Sequence, residues 1–207
     1  MKVKDKFNRG GVGSLVNSNC SDRTTAFVFL LHILLVSVMF IIPFQTRAQE
    51  NNKPSIPKVG DTARDFSAQF FDCKPFKLSE NTKNQTVLLW FTNLCSGCQS
   101  KLPIIEKLNK KSKNKEMEVL AISQLGDDRK TVEDIIRKNN LSVRFLYDPS
   151  GEATKLYTGG YTPGTCPLKN IFLINKNGKI SFASHLPGVS ENELNNQIEQ
   201  LMKGYQQ

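Results

Sequence analysis

Charged residues are missing from one long stretch of the chain: between Arg23 and Arg47 there is no Asp, Glu, Lys or Arg. Within it, Ala26 to Phe44 is apolar apart from His32, Ser37 and Pro43, which excludes a solvated loop. Those residues as helix would span about 28 Å, close to the ~30 Å hydrocarbon core of a bilayer. Histidine is scarce as well, with two in 207 residues. His185 is the only imidazole beyond the apolar stretch, so a centre built on several histidines is excluded there. Internal repeats are absent, which excludes a solenoid. The one dense basic cluster, Lys107, Lys110, Lys111, Lys113 and Lys115, has no aromatic residues interleaved with it. It reads as a solvated helix end and loop, and nucleic acid is not an expected partner.

What flanks the apolar stretch gives it a direction. Lys2, Lys4, Lys6, Arg9 and Arg23 outweigh Asp5 and Asp22, so residues 1–25 are expected to stay in the cytoplasm. Residues 26–44 then form a transmembrane anchor or the apolar part of a signal peptide, with the lipid bilayer as partner. Thr46-Arg47-Ala48 resembles a signal-peptide cleavage site, and Pro43 would end the helix before it. The length of the stretch favours an uncleaved anchor: a single-pass protein of the cell membrane with an extracytoplasmic domain. The alternative is a periplasmic or secreted protein cut near Ala48. Residues 45–56 read as a polar, proline-containing linker, and 57–205 as one domain.

Five cysteines are present, and four of them, Cys73, Cys95, Cys98 and Cys166, would reach an oxidising compartment. Cys95-Ser96-Gly97-Cys98 follows an unbroken apolar run, Thr86 to Phe91, which reads as a strand buried on both faces. After it, Leu102, Ile105 and Leu108 recur at helical spacing from Gln99 onward. A thiol in that turn sits at a helix N-terminus, where free N–H groups favour thiolate over thiol. Cys95 is the candidate nucleophile and Cys98 the partner that closes a disulfide onto it. A disulfide across so short a loop removes little chain entropy, so a purely structural crosslink is the weaker explanation.

The remaining elements fall in a definite order. Asp65–Phe71 and Pro75–Leu78 flank Asp72-Cys73-Lys74 as a hairpin. Glu118–Ile122 is a second apolar strand, Thr131–Asn139 a helix, Val143–Tyr147 a strand and Glu152–Tyr157 a short helix. Ile171–Ile174 and Ile180–Phe182 are joined through Asn177-Gly178, a hairpin signal. The last helix starts at Ser190 with Glu193 three residues on, a capping box. The expected fold class is α/β, a three-layer sandwich around a mixed central sheet, with the dithiol at the carboxyl end of a central strand.

With strand, CxxC and helix in this order, and Pro103 five residues after Cys98, the chain resembles the thioredoxin-like superfamily over roughly Pro57 to Met202. It looks closest to the exported redoxin branch, the TlpA/ResA-type thiol–disulfide oxidoreductases and the AhpC/TSA peroxiredoxins. Phe172 to Gly178 is similar to the strand-and-turn motif of that branch. The resemblance implies an enzyme needing no cofactor, with protein disulfides or thiols as substrates and a membrane or exported electron donor. Cys95 would attack and Cys98 resolve. Three departures stand out: Leu94 replaces the usual tryptophan, Leu89 replaces a buried aspartate, and Lys169 falls where a cis-proline is expected. Either Cys166–Pro167 is the cis bond instead, or Lys169 stands in for a peroxiredoxin arginine, with Thr92 matching the peroxiredoxin threonine. The second enzyme reading is therefore a thiol peroxidase. The non-enzymatic reading is a copper- or zinc-binding chaperone that uses Cys95, Cys98 and a third ligand from Cys166 or His185, since soft thiolates suit Cu(I).

Overall fold

The computed structural model describes residues 55–204 except 114–115, 124–128, 149 and 161–164. The basic segment and the apolar stretch at 26–44 lie outside them; among the described residues no helix is long and apolar enough to cross a membrane.

The run read as a central strand is β3 (Thr86–Thr92), buried at all seven positions. It can be apolar throughout because both of its faces are covered. Around it lie β1 (Ser67–Phe70), β2 (Pro75–Lys77), β4 (Met117–Ser123), β5 (Arg144–Tyr147), β6 (Ile171–Ile174) and β7 (Ile180–Ser184). They form one sheet in the order β2-β1-β5-β4-β3-β6-β7. β3, β4 and β5 are parallel, whereas β6 runs antiparallel to β3 and the edge pairs are antiparallel, so the sheet is mixed as expected.

Alternation along β3 splits the core in two. Leu88 and Trp90 pack with Leu102, Ile105 and Leu108 of α3 (Leu102–Ser112), Val132 of α4 (Arg129–Lys138), and Leu194 and Ile198 of α6 (Glu191–Lys203). Val87, Leu89 and Phe91 pack on the other face with Leu78 of α1 (Leu78–Asn81), and with Ala153 and Tyr157 of α5 (Glu152–Thr158). Tyr157 stacks on Phe91 with ring centroids 5.2 Å apart, and its hydroxyl donates to the Arg64 carbonyl at 2.8 Å. Leu89 is thus a core residue, completely buried among other apolar groups. The three-layer sandwich follows from two apolar sheet faces that each need cover.

The Ser190 half of the capping box is observed: its hydroxyl accepts a hydrogen bond from the Glu193 N–H at 3.1 Å. The hairpin at Asn177-Gly178 forms, but with a longer turn than the dipeptide suggests. Asn175 Oδ1 accepts from the Asn177 and Lys179 amides, and Gly178 takes the left-handed φ of 70°. The single helix expected from Gln99 onward is instead two. A single turn, α2 (Ser96–Gln99), ends at Ser100, and α3 restarts with Pro103 in its first turn, where a missing N–H costs nothing.

Glu106 ties α3 to the chain entering β5. Its buried carboxylate accepts from the Ser142 N–H (2.8 Å), the Ser142 hydroxyl (2.6 Å) and the Val143 N–H (3.1 Å). Burial disfavours the charge, but these bonds and the Lys110 ammonium outweigh it and hold its pKa below the ordinary carboxylate value. A depressed folded pKa stabilises the fold above the unfolded value, and that contribution disappears as pH falls through the folded value. Glu106→Ala is expected to cost about 2 kcal/mol at neutral pH, the range for hydrogen bonds to a charged group. Urea unfolding of both proteins should show the gap narrowing below about pH 4. A gap independent of pH would refute the assignment.

Candidate active site

β3 delivers the chain to the site through a strained turn. Leu94 is buried yet has φ 51°, a left-handed conformation that costs a leucine roughly 1–2 kcal/mol. The turn is held from both sides: the Leu94 N–H donates to Thr92 Oγ1 at 3.0 Å, and Gln99 Nε2 donates to the Leu94 carbonyl at 2.7 Å. The bend places Cys95 at the N-cap of α2, half-buried, with Cys98 inside the turn at 0% exposure.

The third sulfur comes from far along the chain. Cys166 Sγ lies 3.1 Å from Cys95 Sγ and 3.8 Å from Cys98 Sγ, and all three sulfurs fall within 4.8 Å of one another. All three are free thiols. Asn93 fastens this arrangement. Its Nδ2 donates to the Thr165 carbonyl at 2.9 Å, while its Oδ1 accepts from the Cys95 N–H at 3.2 Å and lies 3.9 Å from Cys166 Sγ. Two residues after Cys166, Leu168 is 86% exposed, an apolar side chain presented to solvent. The 3-10 turn Leu186–Gly188 closes another side, with Pro187 near Gly97. Its position is set by Asn170, whose Oδ1 accepts from the Leu186 N–H at 2.7 Å.

The three thiols differ sharply in acidity. Burial opposes ionisation of Cys95, but hydrogen bonds from the Cys166 thiol, the Cys98 N–H and thiol, and the Gly97 N–H together pull its pKa below the ordinary thiol value. The Cys98 N–H lies 3.4 Å from its sulfur. Because α2 is a single turn, named donors rather than a long helix dipole supply this stabilisation. Burial pushes Cys98 up to about 12, with the neighbouring sulfurs adding to the rise. Cys166 is raised by burial, then by donating its proton to Cys95. Cys95 is therefore the most acidic of the three thiols, with Cys98 and Cys166 held as thiols in reserve.

Several expectations for this site need correction. No peptide bond among the described residues is cis, so Cys166–Pro167 is trans, with Pro167 half-buried. Lys169 is half-buried and has no hydrogen bond or ion pair to Cys95 among the described residues. Thr92 serves Leu94 and the Cys98 thiol rather than Cys95. Of the two candidates for a third metal ligand, Cys166 lies with Cys95 and Cys98, whereas His185 lies outside the sulfur cluster, its buried Nε2 without a hydrogen-bond partner among the described residues. Cys73 occupies the β1–β2 turn at φ 65° and is half-buried. Asn93, Gln99 and Asn170 were missed. An Asn two residues before a candidate nucleophile was the one available signal, since short amides favour local turns.

A central-strand CxxC whose first cysteine is the more acidic of the pair, on a mixed sheet covered on both faces, defines a thioredoxin-like thiol redox enzyme. The chain belongs to the AhpC/TSA family, whose model matches residues 59–183. It is similar to the thiol-disulfide oxidoreductase ResA of Oceanobacillus iheyensis, 27% identical over 163 residues that cover 76% of this chain and 80% of the relative. Among solved structures it resembles a thiol:disulfide interchange protein from Bacteroides sp. (TM-score 0.56, 19% identity, 71% of this chain and 91% of that one). It also resembles the peroxidoxin BcpB of Mycobacterium tuberculosis (TM-score 0.57, 20% identity, 70% and 96%). At those identities the structural likeness establishes the fold.

Proposed function

We propose that this protein is an extracytoplasmic thiol–disulfide oxidoreductase in which Cys95 is the nucleophile and Cys98 resolves. The observation that carries the reading is the asymmetry of the pair: a half-buried Cys95 with its thiolate stabilised, next to a completely buried thiol at about 12. Only a thiolate attacks a disulfide, so attack begins at Cys95, and Cys98 then displaces the substrate sulfur from it. Similarity to ResA supports protein disulfides as substrates. Leu168 supports this too, since an exposed apolar side chain two residues from Cys166 suits a polypeptide chain. The apolar stretch at 26–44 supports export, anchored in the membrane, with electrons supplied from a membrane-bound or exported donor.

Two other uses of the same sulfurs have less support. A peroxidase would need a threonine hydroxyl and a cation at Cys95, and Thr92 and Lys169 do not provide them. Metal capture by the three sulfurs would have to displace the protons that burial favours on Cys98 and Cys166 in the metal-free site.

The reading is tested on the reduced full-length chain with dithiothreitol as electron source. It should accelerate precipitation of insulin over dithiothreitol alone. Iodoacetamide should label Cys95 with a rate that rises through a pKa below that of a free thiol. No acceleration, or a rate that titrates like free cysteine, would refute the proposal.

A further inference from the structure

We infer that Cys166 is a second resolving thiol, able to displace substrate from Cys95 and leave a Cys95–Cys166 disulfide that Cys98 then converts into Cys95–Cys98. This deepens the exchange reading above and rests on it. Cys166 Sγ lies 3.1 Å from Cys95 Sγ. Disulfide formation needs a closure of only about 1 Å from there, given an S–S bond near 2.05 Å. The contact is built rather than incidental, because Asn93 holds both strands of it, at the Cys95 amide and at the Thr165 carbonyl. Cys98 is within 3.8 Å of Cys166, so the third leg of the triangle is also short.

The chemistry is balanced without any further reactant. Cys95 thiolate attacks a substrate disulfide, forming Cys95–S–S–R and releasing the other half as thiolate. Cys166 then attacks the Cys95 sulfur: the Cys95–substrate bond breaks, Cys95–Cys166 forms, and the Cys166 proton leaves with the substrate thiolate. The substrate disulfide has gained two electrons and the enzyme has lost two. In the last step Cys98 attacks Cys95, its proton passes to Cys166, and the disulfide isomerises with no net redox change. The electrostatics are in the right order. Two of the causes that raise Cys166, its hydrogen bond to Cys95 and repulsion from it, vanish once Cys95 is bonded to substrate. Burial, the largest cause at both Cys98 and Cys166, does not vanish. Capture of substrate thus removes part of what holds the proton on Cys166, whose sulfur already lies 3.1 Å from that of Cys95.

The test compares full-length Cys98→Ser with Cys98→Ser/Cys166→Ser, and the same pair made with alanine in case serine perturbs packing. The reduced proteins receive a substoichiometric aromatic disulfide, dithionitrobenzoate, with no added thiol. Mass spectrometry of the digests locates label and linkages. Both proteins should release a first equivalent of aromatic thiolate as Cys95 is labelled. The single variant should then lose the label and show a Cys95–Cys166 linkage. In the double variant the label should persist about 100-fold longer or more, since intramolecular attack has been removed. Equal persistence in the two proteins would overturn the role of Cys166 and leave the exchange reading intact. Failure to release the first equivalent would overturn both.

Discussion

Cys95→Ser is expected to lose disulfide reductase turnover by at least about 10³-fold, the scale on which removing a nucleophile acts. Every covalent step described above passes through the Cys95 sulfur, and a hydroxyl cannot take its place in a disulfide. Neither reserve thiol can start the reaction instead, because burial keeps both protonated at neutral pH. The substitution should nevertheless be quiet structurally. Cys95 is an N-cap whose sulfur accepts the Cys98 N–H, and serine is among the best residues for that position. Unfolding free energy should change by no more than about 0.5 kcal/mol, as for mild surface substitutions. Insulin reduction and denaturant unfolding measured on the same preparation separate the two effects. Turnover retained in a folded Cys95→Ser protein would end the proposed mechanism.

The parts of this molecule that were legible in its sequence are those decided by local pattern. Thr86 to Phe91 could be read as a central strand because a strand covered on both faces has no polar positions. The Cys95 N-cap, the Ser190 cap and the faces of α3 and α6 follow from spacing of a few residues. What escaped was settled by contacts across the chain. The Asn93 amide reaches the Thr165 carbonyl 72 residues away, and nothing in a window around Asn93 reveals that partner. The same holds for Asn170 and Leu186, which meet because β6 and β7 pair. Leu94 was visible as a departure from the usual tryptophan, but its left-handed backbone was not. Leucine avoids that region, and only the hydrogen bonds from Gln99 and to Thr92 hold it there. Thr92 stood out as a match to the peroxiredoxin threonine, whereas the contact of its hydroxyl with the buried Cys98 thiol needed coordinates. Cys166 was recognisable as a neighbour of the dithiol from the topology, whereas its direct contact with Cys95 needed coordinates.

Asn93→Asp should slow Cys95 alkylation at neutral pH by about 10-fold or more, with recovery as pH rises. The side chain now offers a neutral carbonyl oxygen to the Cys95 amide, and the same oxygen is 3.9 Å from Cys166 Sγ. A carboxylate there puts a second negative charge beside the thiolate, and a like charge at such range raises a thiol pKa by about one unit or more. Each unit removes tenfold of the thiolate at a pH below the pKa. The exchange also removes the donor to Thr165, leaving two oxygens facing each other where a 2.9 Å hydrogen bond had been. Asn93→Ala separates these effects, because it breaks the bridge without adding charge. In the alanine protein the apparent pKa of Cys95 should move less than in the aspartate protein, while resolution through Cys166 slows in both. Iodoacetamide rates against pH report the first quantity, and label loss from Cys98→Ser made in each background reports the second. An aspartate variant whose pH profile overlays the wild type would mean that Asn93 does not govern the charge on Cys95. The donors from α2 and Cys166 would then be sufficient to ionise it alone.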